Sequence, residues 1–210
     1  MKLKYYGHAC FTLRFADGTT LAIDPFDESV TYAPCDAICD AALLSHDHFD
    51  HNHVQSLRGD FTIIREAGNY EVRNVRVTAV PSFHDKQRGA LRGNNLIFRI
   101  EGDGLTIVHL GDLGHMPDEK QLRAIAGADV LLTPIGGTYT IDTPEAVALL
   151  RLLQPKRAVA MHYRTEACGF NIRSCEDFSG DTNAVRMPRE IEITRETLMR
   201  LPEVMILDYK

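Results

Sequence analysis

An α/β sandwich, two sheets packed face to face with helices outside, is the fold class this sequence predicts. Strand-like segments dominate the first half of the chain and mostly read as hairpins. In the second half, helices with clear start signals alternate with single strands. Hydrophobic residues make up 44% and charged residues 25%, a balance that can fill a sizeable core. Periodicity alone equally permits a mixed sheet with one covered face.

The elements follow in order. Lys2 to Tyr6, Cys10 to Phe15 and Thr20 to Ile23 read as strands, the last two joined by Ala16-Asp17-Gly18, a hairpin signal. Pro25 removes a ladder donor and ends the third strand, and a polar loop follows over 27–40. Ala41 to Leu44 is a short buried-type strand, with a short helix expected after His51 through Leu57. Further strands are expected at Phe61 to Ile64, Val75 to Val80, Leu96 to Ile100 and Leu105 to Leu110, the last two joined across Gly102-Asp103-Gly104. Pro117-Asp118-Glu119 opens a helix to about Ala126, its acids at the positive end. Val130 to Thr133 is a strand. A helix capped by Asp142 or Thr143 then runs to Leu153, stopping before Pro155. Arg157 to Met161 and Val204 to Leu207 close the series, and the polar segment 164–188 carries no clear signal.

Composition narrows the function classes. The 210 residues are expected to form one domain, 1–210, with no linker, repeat or low-complexity stretch. A net charge of -6 disfavours nucleic acid and anionic membranes, both of which reward clustered Lys and Arg. No stretch approaches the roughly 20 apolar residues of a membrane span, and the N-terminus reads as strand rather than signal peptide. An odd count of five cysteines without an export signal suggests reduced thiols and a cytoplasmic setting.

The sharpest signal is His46-Asp47-His48-Phe49-Asp50-His51, directly after a buried-type strand. Residues two apart in extended backbone face one side, so His46 and His48 can reach one ion. A turn into helix then carries Asp50 and His51 toward a neighbouring position. Neutral imidazole and carboxylate are ligands that zinc favours. The bland alternative is a His-rich solvated loop, which three His and an Asp within six residues make the poorer reading.

This hexapeptide resembles the signature of the metallo-β-lactamase superfamily. The rest of that family's metal set also finds matches in order: His84 in Pro-Ser-Phe-His, Asp112 in His-Leu-Gly-Asp and His162 in Ala-Met-His-Tyr. Each lies just beyond a predicted strand. Gly7-His8-Ala9-Cys10-Phe11, Ile23-Asp24-Pro25, Gly111-Asp112-Leu113-Gly114-His115 and Pro134-Ile135-Gly136-Gly137 are similar to a branch of short metal-dependent hydrolases. That branch includes ascorbate-6-phosphate lactonases and N-acyl-phosphatidylethanolamine phospholipases. The resemblance implies a four-layer αββα sandwich with a dinuclear site. His46, His48 and His84 would hold one metal, Asp50, His51 and His162 the other, with Asp112 bridging. It implies two divalent ions, with Zn2+ foremost and Mn2+ or Fe2+ as alternatives. A hydroxide bridging them would attack an ester, lactone, amide or phosphodiester of a small molecule.

Other candidates stand beside bland readings. Asp50 orients the nucleophile; His8 and His115 are expected in catalytic support, set against a satisfied strand histidine and a loop cap. Asp24 orients a ligand imidazole or is a turn carboxylate. His53 reads as solvent-exposed and His109 as core. Arg88 and Arg92 bind an anion or, by the favoured reading, are surface charge. Cys35-x3-Cys39 and Cys168-x6-Cys175 are too loosely spaced for a zinc ribbon and read as free thiols. An iron-dependent oxidoreductase or a non-catalytic metal sensor on the same fold is the alternative function. The complete ligand set favours the hydrolase.

Overall fold

The computed structural model describes residues 1–210. Two sheets face each other. The six-stranded sheet has the order β13-β1-β2-β3-β4-β5 and the eight-stranded sheet β12-β14-β11-β10-β9-β8-β7-β6. The strands are β1 (Lys2–Gly7), β2 (Cys10–Arg14), β3 (Thr20–Ile23), β4 (Ala41–Leu43), β5 (Thr62–Ile64), β6 (Gly68–Val72) and β7 (Val75–Phe83). Then come β8 (Asn94–Gly102), β9 (Leu105–His109), β10 (Val130–Pro134), β11 (Arg157–Met161), β12 (Val185–Met187), β13 (Glu190–Glu192) and β14 (Val204–Leu207).

Side-chain alternation explains the layering. Leu3, Tyr5, Phe11, Leu13, Leu21, Ile23 and Leu43 point into the core between the sheets, where they meet Val77, Phe98, Ile100, Ile107 and Leu132. The opposite parity of the same six-stranded sheet (Tyr6, Cys10, Ala22, Ala42) packs in a separate outer cluster with Phe26, Tyr32, Cys35 and Leu57. Strands β10 and β11 are buried along their whole length and pair in parallel, as strands covered on both faces do. Parallel pairing needs crossovers. Helix α1 (Glu119–Ile125) makes the one from β9 to β10, and α2 (Thr143–Leu153) the one from β10 to β11. Both helices begin with a capping box, Asp118 with Gln121 and Asp142 with Glu145.

The structure corrects three sequence expectations. The helix after His51 is only a 3-10 turn, Val54–Ser56, without a side-chain cap. The chain is already tied there, by His53 N–H to the Pro25 carbonyl and by Arg58 N–H to the Ala37 carbonyl, which leaves no room for a longer helix. As a result, loops and 3-10 turns, rather than α-helices, cover the outside of the six-stranded sheet. The 164–188 segment contains a helix, α3 (Glu176–Thr182), whose Phe178 is fully buried, and β12. Strand β6 was not expected because only Tyr70 and Val72 of Gly-Asn-Tyr-Glu-Val carry its inward face, too short and too partly buried an alternation to set a period. No helix is long and apolar enough to cross a membrane.

Candidate metal centre

The candidate residues meet at one rim of the sandwich. His8 sits in the β1–β2 turn and Asp24 follows β3. His46 to His51 follow β4, His84 follows β7, Asp112 follows β9, and His162 follows β11. Strand ends are where a rigid sheet can aim side chains from distant sequence positions at one point. His8, Asp24 and His162 all have left-handed backbone, with φ of 54°, 47° and 52°. Such conformations in non-glycine residues cost on the order of 1–3 kcal/mol each and cluster at functional sites.

The donor atoms fall into groups. Those of His46, His48 and His84 lie within 4.8 Å of one another, as do those of His8, Asp50, His51 and His162. A further group, His46, His51 and Asp112, spans the two. Asp112 Oδ2 lies 3.1 Å from His162 Nε2, 3.3 Å from His84 Nε2 and 3.4 Å from His51 Nε2. His8 Nε2 is 3.0 Å from Asp50 Oδ2, so His8 belongs with the second group.

One ring nitrogen of several histidines is tied from behind. Asp24 Oδ2 accepts from His51 Nδ1 at 3.1 Å and from the Ser45 hydroxyl at 2.7 Å, and its Oδ1 accepts from Ser45 N–H. With the Ser45 proton spent on Asp24, His46 Nδ1 donates to Ser45 Oγ, 2.9 Å away. His84 Nδ1 donates to the Tyr139 carbonyl at 3.0 Å. The far nitrogens of His46 and His51, together with Asp112 Oδ1, are buried without a hydrogen-bond partner. Orphaned buried donors and acceptors are costly unless something completes them. A ligand histidine whose other nitrogen is fixed by a carboxylate or carbonyl is the usual arrangement around a metal.

The family comparisons agree with this geometry. Residues 2–162 match the model of the β-lactamase superfamily domain. A UPF0173 metal-dependent hydrolase of Thermococcus onnurineus is 31% identical over 79% of this chain and 85% of its own. One from Carboxydothermus hydrogenoformans is 30% identical over the same shares. The chain belongs to the metallo-β-lactamase superfamily, in its branch of UPF0173 metal-dependent hydrolases. Among solved structures, a Thermotoga maritima protein assigned to the Zn-dependent hydrolases of that superfamily is 34% identical, with a TM-score of 0.83 over 98% of this chain and 97% of its own. An isothiocyanate hydrolase from Delia radicum gut bacteria, 17% identical with a TM-score of 0.68 over 100% and 97% of the two chains, shares the fold.

Electrostatics in this hydrolase suits cation binding. Burial and neighbouring histidines push His46 and His84 down, and His8 down to about 4, so these rings are neutral and carry free lone pairs. Burial opposes ionisation of Asp112, but His162 and His51 beside it hold its carboxyl well below the usual range. His51 goes the other way: burial lowers it, and Asp112, Asp50 and Asp24 together raise it further, toward the protonated form. The surplus of carboxylate around His51 is what a bound cation would neutralise. Neutral imidazoles and ionised carboxylates together form a donor set that fits divalent transition metals.

Several positioning residues carry no motif. Asn95, buried inside β8, accepts the Asp112 N–H on Oδ1 and donates to Ser82 Oγ and the Leu110 carbonyl. The pair Asn94-Asn95 at the start of an otherwise largely apolar strand is the signal that points to it. His109, read as core, is fully buried; its Nε2 donates to the Ala9 carbonyl and its Nδ1 accepts the Gly111 N–H. It thereby links the His8 turn to the Asp112 turn. Gly111 has φ 55°, and a Cβ there would lie 2.3 Å from Asn95 Oδ1. At Gly114 a Cβ would lie 2.3 Å from the His84 carbonyl carbon. His115 is a correction. Its Nε2 accepts the Phe83 N–H and its Nδ1 donates to the Met116 carbonyl, so it fastens a loop, outside the cavity.

The cavity over the cluster has a volume of about 310 Å³, with Phe49, Arg92, Tyr139 and Phe170 around the histidines and carboxylates. His53 is half-buried at the start of the 3-10 turn and Arg88 is exposed, both outside this cavity. All five cysteines are buried and free: Cys10, Cys35, Cys39 and Cys168 in the outer cluster, and Cys175 in the main core.

Proposed function

We propose that this metal-dependent hydrolase works with two divalent ions on a small molecule. His46, His48 and His84 would hold one ion, Asp50, His51 and His162 the other, and Asp112 would serve both. The division of the donor atoms into two groups, with Asp112 reaching both, is the observation that carries this reading. Zn2+ is the foremost ion for this mixture of imidazole and carboxylate, with Mn2+ and Fe2+ as alternatives. Two such ions, when bound, acidify water and polarise the oxygen of an ester, lactone, amide or phosphodiester.

The chain's own residues do the rest. Asp50 faces the cavity and would hold the attacking water in line. His8, its Nε2–H donated to Asp50, fixes the rotamer of that carboxylate and acts through it. Asp24 and Ser45 hold His51 and His46 in their ligand tautomers. A cavity of about 310 Å³ sits at the small end of ligand pockets and suits a small molecule better than a nucleic-acid chain or a lipid surface. The five buried free cysteines favour work in a reducing cytoplasm.

Elemental analysis of protein purified without chelator, paired with a screen of lactones, esters and phosphodiesters, tests the reading. About two zinc or manganese ions per chain are expected, with hydrolysis that chelation removes and zinc restores. About one iron, with no hydrolysis on any of these classes, would overturn it.

A further inference from the structure

Arg92 is the one cationic side chain lining the cavity, and its guanidinium has no hydrogen bond or ion pair within the chain. Of the other cations near this loop, Arg65 pairs with Asp47 and Lys86 with Glu145, while Arg88 is exposed outside the cavity. Arg92 instead lies over the Tyr139 ring, its Cζ 5.3 Å from the ring centroid. A cation–π contact uses none of the guanidinium N–H donors, and those donors recognise carboxylate and phosphate oxygens.

Its position is fixed relative to the metal centre by two ties. Asp85, directly after His84, is buried and accepts backbone N–H groups from Gln87 and Gly89 on Oδ1 and from Leu91 and Arg92 on Oδ2. The loop from 85 to 92 is thus wound around one carboxylate that is rooted beside a metal-ligand candidate. Through Tyr139, whose carbonyl takes the His84 Nδ1–H, the ring under the guanidinium is tied to the same histidine. The rest of the wall is aromatic. Phe170 lies 6.3 Å from Phe49 and 6.5 Å from Tyr139 between ring centroids, and Phe49 is half exposed at the mouth.

We propose that Arg92 is the specificity-determining residue of this cavity, binding an anionic group of a substrate whose apolar or aromatic portion rests on Phe49, Tyr139 and Phe170. The substrate class is then a small aromatic or otherwise planar acid, with carboxylate or phosphate oxygens set apart from the bond to be cleaved. This deepens the hydrolase reading above and rests on it, yet its test does not depend on turnover.

Binding of phenylacetate, its neutral analogue phenylacetamide and benzylphosphonate is measured by calorimetry on zinc-loaded native protein, Arg92→Lys and Arg92→Met. The native protein is expected to bind phenylacetate about tenfold or more tightly than the amide, the scale of one charge-assisted contact. Arg92→Met loses that factor while zinc content and amide binding hold, and Arg92→Lys keeps part of it. A loss for benzylphosphonate and not for phenylacetate assigns the subsite to phosphate-type anions. Equal anion binding by the native protein and Arg92→Met, meaning that the metals alone hold the anion, overturns the proposal. Arginine-dependent binding in a protein that hydrolyses nothing would leave the anion subsite standing and remove the hydrolase reading instead.

Discussion

The floor of the cavity and its wall are built in different ways. On the floor, the candidate ligands follow strand ends, and buried polar groups behind them hold His51 through Asp24, His46 through Ser45, and the Asp112 turn through Asn95 and His109. On the wall, Phe49, Arg92, Tyr139 and Phe170 come from separate loops and meet through tilted and edge-on ring pairs and one guanidinium–ring contact. Reaction chemistry tolerates little misplacement, whereas recognition of a substrate body tolerates much. The two constructions match the two demands: the polar network sets where charge sits, and the loops set what shape is admitted.

That contrast can be broken at its strongest point first. Asp112→Ala removes the only carboxylate that reaches His51, His84 and His162 together. It is expected to abolish hydrolysis and to lower metal content by elemental analysis; native content and rate would show that the floor is not the centre. Asp24→Ala acts one layer back, since the Asp24 carboxylate hydrogen-bonds to Ser45 and His51. A fall of about 10–100-fold in zinc affinity, measured by competition with a chromogenic chelator, is the expected result. His8→Ala tests the seam between floor and wall, because the His8 ring contacts Asp50 on one side and lies 5.3 Å from the Phe170 ring on the other. A drop in kcat of about tenfold, with metal content and KM retained, supports its hold on Asp50; unchanged kinetics remove that role.

The floor was readable in the sequence because its residues are either contiguous, as in His46 to His51, or mark the ends of strands with strong apolar patterns, as His84, Asp112 and His162 do. Asp24 was readable for the same reason, standing between Ile23 and Pro25. The wall was not. Arg92 reads as surface charge until Asp85 is seen to gather the loop, and Tyr139 and Phe170 meet only through the tertiary fold. His115 misled for the opposite reason: it adjoins a true motif, yet its ring is turned to the Phe83 N–H at the end of β7 and to the Met116 carbonyl. Edge elements such as β6 and the short α3 were hidden because neither buries a full apolar face that would set a period.

The close packing at Gly111 and Gly114 has a consequence for how such a protein can change over generations. A single added carbon at either position meets Asn95 or the His84 backbone at 2.3 Å, so drift through these turns is closed to every other side chain. Positions 49, 92, 139 and 170 bear no such restriction, since their side chains face open cavity. A lineage can therefore exchange one substrate for another by substitutions confined to loops, while the reaction itself is inherited unchanged.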